Sequence, residues 1–353
     1  MTTTTAPARP VRRLPLSAGL AVGPALIVVA VVLAFGIGPI EIAPDRVIRI
    51  VLHDVIGVGC AGEALETTVV MHLRMPRVLF GALVGAALAV SGAALQGLFH
   101  NPLADPGIIG VSGGASAGAV SAIVLLPPIS SALYGWLVPA SAFAGGALAT
   151  VLIYVLARPR ASRGTARLLL VGVAVGAGFA ALTGFLTYVA DDDELESVVF
   201  WQMGSLGGID WLKLALVAPP IIAGLIVLMA HHRALDLLAL GERDARHLGL
   251  DVTRTRAIVI ATAALLTGAA VSFAGTIGFI GLVVPHIVRF MFGPAHRAVV
   301  PMSAIVGALL IVVADTAART IAPPSEVPIG LFTAALGAPF FLWLVMRSKE
   351  VRV

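Results

Sequence analysis

Cysteine is nearly absent: Cys60 is the single one in 353 residues. One thiol cannot form an intrachain disulfide, a CxxC metal knuckle or a cysteine-held iron–sulfur cluster, so thiol redox chemistry is excluded. Lysine is almost as scarce, with only Lys213 and Lys349, and no GxxxxGK[ST] stretch occurs. The chain therefore cannot bind and hydrolyse ATP by itself in the P-loop manner. Charged residues make up only 12% of the chain, against 59% hydrophobic residues and a mean hydropathy of +1.01. That is more apolar surface than a soluble domain can bury, and it marks a membrane protein. The formal charge of +4 and the pI near 9.8 do not point to nucleic acid. The basic residues lie in short clusters between apolar segments, without the aromatic interleaving that stacks on bases.

A catalytic constellation is also missing, and no catalytic residue or metal ligand is assigned. His286 follows Pro285 in VVPHIVR. A proline in a helix frees a carbonyl and kinks the chain, which gives this His a structural role. Asp315 stands four residues before Arg319, close enough to pair on one helix face near the outer boundary. Ionisable groups near mid-membrane, which a proton-coupled carrier keeps, are not found.

What the chain does have is a series of long apolar runs. A spanning helix needs roughly 20 such residues. Candidates lie at about 17 to 37, 78 to 98, 108 to 127, 136 to 157, 167 to 190, 211 to 230, 256 to 273, 276 to 292, 300 to 318 and 329 to 346. The expected class is an all-α polytopic membrane protein of about ten transmembrane helices. Ala257 to Phe292 is too long for one crossing and is split at Ala274 to Gly278. Residues 1–16 read as a cytoplasmic tail. Ser17 to Ile37 is longer than a signal core and lacks a clear cleavage site, so it reads as a spanning helix.

With the N-terminus inside, 17 of the 23 Lys and Arg residues fall in inner loops and 6 outside, as the positive-inside rule requires. An even helix count then puts both termini in the cytoplasm. The acidic cluster Asp191 to Glu196 falls outside. Small residues recur four apart at Gly81, Gly85, Ala89, Ala93 and Gly97, and again at Gly172, Gly176, Ala180 and Gly184. Both stripes predict close helix packing. The glycine-rich GVSGGASAGA at 110 to 119 follows no strand and has no Lys, so it is not a phosphate loop.

Between two apolar runs lies an island of charge, LDLLALGERDARHLGLDV, from Leu235 to Val252. Gly241 breaks it and Gly249 can end a second short helix with a left-handed residue. Glu242 in the first turn and Arg246 and His247 in the last complement the helix dipole. Two tandem short helices and a solvated loop both fit this pattern.

Four stretches resemble the FecCD family, the permease subunits of ABC importers for ferric siderophores, heme and cobalamin. They are LRMPRVLFGALVGAALAVSGAALQGLFHNPLADPGIIGVSGGASAGA (73 to 119), LLALGERDARHLGL (237 to 250), AGTIGFIGLVVPHIVR (274 to 289) and ADTAARTIAPPSEVPIGLFTAALGAPFFLWL (314 to 344). The resemblance implies a type II ABC importer permease fold, with residues 17–353 forming a single transmembrane domain. It further implies a homodimer in the lipid bilayer of a prokaryotic cytoplasmic membrane, served by two ATP-binding cassette ATPase subunits inside and a substrate-binding protein outside. ATP and Mg would then be bound only through the partner ATPase, with no cofactor on this chain. Leu237, Leu238, Gly241, Glu242, Arg243, Ala245, Arg246, Leu248 and Gly249 match the coupling helices, at about 235–250, that sit in a groove of the ATPase. Arg74, Arg77 and Arg319 match outward-facing arginines that meet acids of the binding protein; headgroup snorkelling is the plainer alternative for Arg74 and Arg77. Thr165 matches the region of the cytoplasmic gate, where Ala166 departs from the cobalamin permease by lacking a hydroxyl.

FWQMGSLGG (200 to 208), LQGLFHNPLADPG (95 to 107) and ARTIAPPSEVPIG (318 to 330) look most like heme-type members. Ferric siderophore comes next and cobalamin third. Met203 and Tyr188 could touch a metal complex near the outer mouth, or serve in packing and interface anchoring. An ion-coupled secondary transporter is the rival from another class, and the missing intramembrane polar groups argue against it.

Overall fold

A computed structural model describes residues 13–58, 62–126, 130–157, 164–322 and 325–347, and every regular element among them is helical. The apolar runs become α1 (Leu16–Gly36), α4 (Met75–Phe99), α5 (Val111–Leu125), α6 (Ser131–Ala157), α7 (Gly164–Val189), α9 (Trp211–Ala230), α12 (Val252–Ala274), α13 (Ile280–Phe292), α14 (His296–Ile321) and α15 (Ile329–Arg347). Among the described residues, seven helices are long and apolar enough to cross a membrane, and three shorter apolar ones complete the expected set of ten. Helix ends agree with the sequence reading to within a turn or so. Cys60, the cytoplasmic tail up to residue 12, and the basic residues Arg158, Arg160, Arg163, Lys349 and Arg352 lie outside the described residues.

α4 is the centre, buried along almost its whole length and packed against α14, α12, α13 and α9. Glycine lets it get that close. A Cβ on Gly85 would strike the Gly307 carbonyl on α14, and one on Gly92 would strike the Gly281 carbonyl on α13. The cluster at 110 to 119 works the same way, with Gly114 of α5 and Gly145 of α6 in mutual backbone contact. The second stripe behaves differently: Gly172 meets the Ile108 carbonyl, but a Cβ on Gly176 or Gly184 would meet nothing within 4 Å. Along that stripe Gly172 is buried, Gly176 half-buried, and Ala180 and Gly184 exposed.

The break between α12 and α13 falls where the apolar run is split. Gly275, at φ +68°, caps α12 by donating to the Val271 carbonyl at 2.9 Å, and Phe279 takes the same left-handed φ of +68° before α13. Non-helical backbone at membrane depth needs protein partners for its polar groups. Here Ala274 O accepts from Ser205 N at 2.8 Å, and the Thr276 hydroxyl donates to Gln202 O.

Apart from the charged island, three described α-helices have no counterpart among the apolar runs. α2 (Pro44–Val51) buries Val47 and Ile50 against the C-terminal part of α1. α3 (Ala64–Thr68) continues through a π-helical turn, Val69–Arg74, into α4, making one helical rod from Ala64 to Phe99. The wider turn falls just before Pro76, which lacks the N–H that a regular α-helix would use there. The acidic cluster opens α8 (Asp192–Met203): Asp191 accepts from Glu194 N at 2.8 Å, and Glu194 Oε2 accepts from Asp191 N at 3.0 Å.

The internal contacts sort the loops onto two ends. At one end Leu14 N donates to Met291 O at 2.9 Å, and the charged island touches the starts of α14 and the close of α4. At the other, Trp211 Nε1 donates to Met71 O at 2.8 Å and Arg77 reaches Glu326. Arg13, Arg233, Arg243, Arg246 and Arg297 share the first end; Arg74, Arg77, Lys213 and Arg319 share the second.

Candidate functional sites at the two ends

The island is two short helices, α10 (His232–Leu238) and α11 (Glu242–His247), and not a loose loop. Gly241, at φ +109°, separates them. Gly249, at φ +86°, closes α11: its N–H donates to Arg246 O at 2.9 Å and Leu250 N to Ala245 O at 3.0 Å. These two bonds form a Schellman motif, which satisfies the last carbonyls of a helix.

Three contacts fix the island to the spanning core. Asp236 Oδ1 accepts from both His296 N and His296 Nδ1, each at 2.8 Å, so an α10 side chain occupies the first orphan N–H of α14. His100 ends α4 in the left-handed conformation, φ 51°, and its Nε2 donates to Leu238 O. Glu242 pairs with Arg256 of α12, whose side chain is only 4% exposed, and with Arg246 at 3.3 Å.

The coupling residues expected from sequence therefore divide. Leu238 and Ala245 are fully buried and hold the island together, and Glu242 is engaged with Arg256. Arg243, Arg246, Leu248 and Gly249 face outward, with Leu248 60% exposed. Leu240, also 60% exposed, joins them and was missed. Its place beside the Gly241 break was the signal, since a residue at the apex between two short helices is turned out. Leu237 and Gly241 are half-buried.

At the opposite end the three arginines converge but are not on the surface. Arg74 donates to the carbonyls of Phe35 and Gly36 at 2.7 and 3.0 Å and of Ile40 at 2.5 Å. Arg319 donates to Ala34 O at 3.2 Å. Both cations thus sit on the orphan carbonyls at the end of α1, where the helix dipole is negative. Arg77 Nη2 meets Asp315 at 2.8 Å and Arg319 Nε pairs with the same carboxylate at 3.1 Å, as the i, i+4 spacing predicts. Arg77 Nη1 holds both oxygens of Glu326. Three guanidinium groups against two carboxylates leave one surplus positive charge. Snorkelling to headgroups does not describe these side chains: Arg74, Arg77 and Arg319 are 5, 9 and 4% exposed.

A cavity of about 400 Å³ opens between α8, α15 and the α12–α13 break, lined by Gln202, Met203, Thr276 and Leu331 among others. Met203 is in that lining, whereas Tyr188 is 86% exposed near the end of α7. Thr165 stands in the first turn of α7, and its side chain is outside the described residues. In the loop after α4, Asp105 accepts from Gly107 N at 2.8 Å, and burial pushes its carboxyl above the ordinary value. The described residues contain no group of three His, Cys, Asp or Glu side chains suited to a metal ion.

The FecCD transport family model matches residues 26–347. Among curated relatives, a cobalamin import system permease protein, BtuC, of Halobacterium salinarum is 47% identical over 284 residues, 80% of this chain and 74% of its own length. A hemin transport system permease protein, HmuU, of Yersinia pestis is 44% identical over 285 residues, 80% of this chain and 84% of its own. A solved structure of a metal-chelate type ABC transporter in an inward-facing conformation superposes with a TM-score of 0.82 at 31% identity, covering 94% of this chain and 99% of that one.

Proposed function

The chain belongs to the FecCD transport family, and we propose that it is the permease subunit of an ATP-driven importer carrying a metal chelate across the cytoplasmic membrane of a prokaryote. The observation that carries this reading is the island. A two-helix element pinned to three spanning helices, with Leu240, Leu248, Arg243 and Arg246 turned outward, has the form of a rigid lever for a partner. That partner is an ATPase subunit, which supplies the nucleotide and Mg²⁺ chemistry this chain lacks. Both termini lie on the cytoplasmic side, the side of the island.

Two copies form a homodimer around one pathway, each serving one ATPase. The open glycine face of α7 supports this, since Gly176 and Gly184 offer a partner helix the same close approach that Gly85 gives α14. Outside, an acidic surface of a substrate-binding protein docks over the arginine cluster, favoured by its surplus positive charge. Arg77 is its most accessible cation, reached where Glu326 now sits.

For the cargo we propose heme, on the heme-type likeness of residues 95–107, 200–208 and 318–330. Cobalamin is the second reading, because the relative named for cobalamin import is 47% identical and the one named for hemin 44%. Reconstitution of the chain in liposomes, alone and with its ATPase and binding protein, tests the whole. Uptake requiring both partners, with heme preferred, is expected. Uptake by the chain alone on an ion gradient would overturn the importer reading, and a preference for cobalamin would replace the first cargo with the second.

A further inference from the structure

We infer that the end bearing the island also carries a binding pocket for the phosphate headgroup of an anionic phospholipid. A cavity of about 520 Å³ lies where α1, α13 and α14 meet, lined by Arg13, Leu14, Phe292, Gly293, Pro294 and Arg297 among others. Its floor is fixed by the bond from Leu14 N to Met291 O, and its shape depends on Gly293, at φ +93°. A Cβ at Gly293 would lie 3.2 Å from Arg13 Nη1, so the missing side chain is what lets the guanidinium lie over the backbone there.

The charge in this pocket is unbalanced. Arg46, Arg49, Arg77, Arg246, Arg256 and Arg319 each have a carboxylate within ion-pair distance. Among the described residues neither Arg13 nor Arg297 has one, and no acid lines the cavity. Asp236, the acid bound to the first turn of α14, is taken up by His296. Two guanidinium groups lining one cavity, with no carboxylate partner among the described residues, form a phosphate-binding pair.

The surroundings select the source of that phosphate. The pocket lies at the ends of three apolar helices, and Leu14, Phe290 and Met291 beside it are 49, 73 and 36% exposed. A basic hollow with an apolar rim at the end of a spanning bundle matches a lipid, headgroup in the hollow and chains along α1, better than a free anion. Such a lipid would tie α1 to the loop joining α13 and α14, next to the helix that Asp236 of the island caps.

The test uses the full chain in bilayers of phosphatidylcholine with about one part in five of phosphatidylglycerol, followed by mass spectrometry of the lipid retained after extraction. Phosphatidylglycerol should be enriched on the order of tenfold over its share of the bilayer. Arg13→Gln with Arg297→Gln should bring retention down to the bilayer ratio, each single change should give a partial loss, and Arg233→Gln with Arg254→Gln should change nothing. Chromatographic profile and helix content of each variant verify folding, and the single changes stand in where the double variant fails that check. Equal retention of the two lipids by the wild type, undiminished enrichment in the variants, or stabilisation by dissolved inorganic phosphate equal to that by phosphatidylglycerol would overturn the assignment.

Discussion

Arg77 is held from two sides, by Asp315 through Nη2 at 2.8 Å and by Glu326 through Nη1 at 2.7 Å, and the two carboxylates differ sharply in exposure. The Asp315 side chain is 3% exposed and that of Glu326 is 47%. Glu326 is thus the replaceable partner, occupying the position that an incoming carboxylate would take in the proposed docking. Glu326→Gln should cost less than about 1 kcal/mol of stability, because a half-exposed pair contributes little. Association of the binding protein should tighten several-fold, and the gain should shrink at high salt. Unchanged or weaker association in a titration at low salt would remove Arg77 from the docking surface.

Asp315 has the opposite character. Two buried guanidinium groups share it, so Asp315→Ala leaves both without their main counter-charge. A loss of about 3–5 kcal/mol is expected, visible as a lowered midpoint of thermal unfolding in detergent. The same burial means that charge reversal of Arg74, Arg77 and Arg319 would damage the fold before it reported on docking. Glu326→Gln is the cleaner probe.

Much of this architecture was legible in the chain because lipid imposes one strong rule, a long apolar run per crossing. The ten spans, the break at Ala274 to Gly278, the Asp315–Arg319 pair and the left-handed Gly249 all follow from local spacing. α2, α3 and the π turn before Pro76 were not legible, since they are short and owe their form to tertiary contacts, α2 and the π turn with α1, and α3 through the Glu66–Arg46 pair. α8 did carry a signal: Asp191 and Glu194 are the ends of a capping box. The anchoring of Leu238 and Glu242 and the burial of Arg74 could not be read from spacing, because each depends on a partner more than ten residues away: His100 for the Leu238 carbonyl, Arg256 for Glu242 and Phe35 for Arg74.

On the island, the exposed leucines separate contact from scaffold. Leu240→Ala with Leu248→Ala removes two side chains that are each 60% exposed, so folding and insertion should be unaffected. Co-purification of the ATPase should fall, and transport per ATP with it. Glu242→Gln should act differently, loosening α11 from Arg256 and lowering the unfolding midpoint before it changes ATPase binding. Identical behaviour of the two variants would show that the island is not a rigid body with one contact face.

Asp105 supplies a pH dependence. Burial raises its carboxyl above the unfolded value, so the folded chain binds the extra proton more tightly. By linkage, the contribution of this group to stability is greatest below the unfolded carboxylate range and declines as pH rises through the raised folded value. Asp105→Asn keeps an oxygen to accept from Gly107 N, and should flatten that decline in unfolding midpoints measured from acid to neutral pH. A wild-type slope retained by the variant would place its origin elsewhere.

The two glycine stripes make a final, paired prediction about assembly. Gly85 and Gly307 touch backbone to backbone within one chain, so Gly85→Val must force α4 and α14 apart, at about 2–3 kcal/mol. Gly176 and Gly184 have nothing within 4 Å of a built Cβ, so the isolated chain has room for larger side chains there. Gly176→Leu with Gly184→Leu should therefore leave a monomer as stable as before, or slightly more so, since glycine disfavours a helix interior by roughly 1 kcal/mol relative to alanine. In the proposed dimer the same change fills the face that a partner helix approaches. The oligomeric state in detergent, by light scattering, should then shift from dimer to monomer for the α7 variant while its unfolding midpoint holds. A Gly85→Val chain should show the reverse, a lowered midpoint with no selective loss of the dimer. Persistence of the dimer in the α7 variant would move the interface to another face of the bundle, the exposed side of α15 being the next to test.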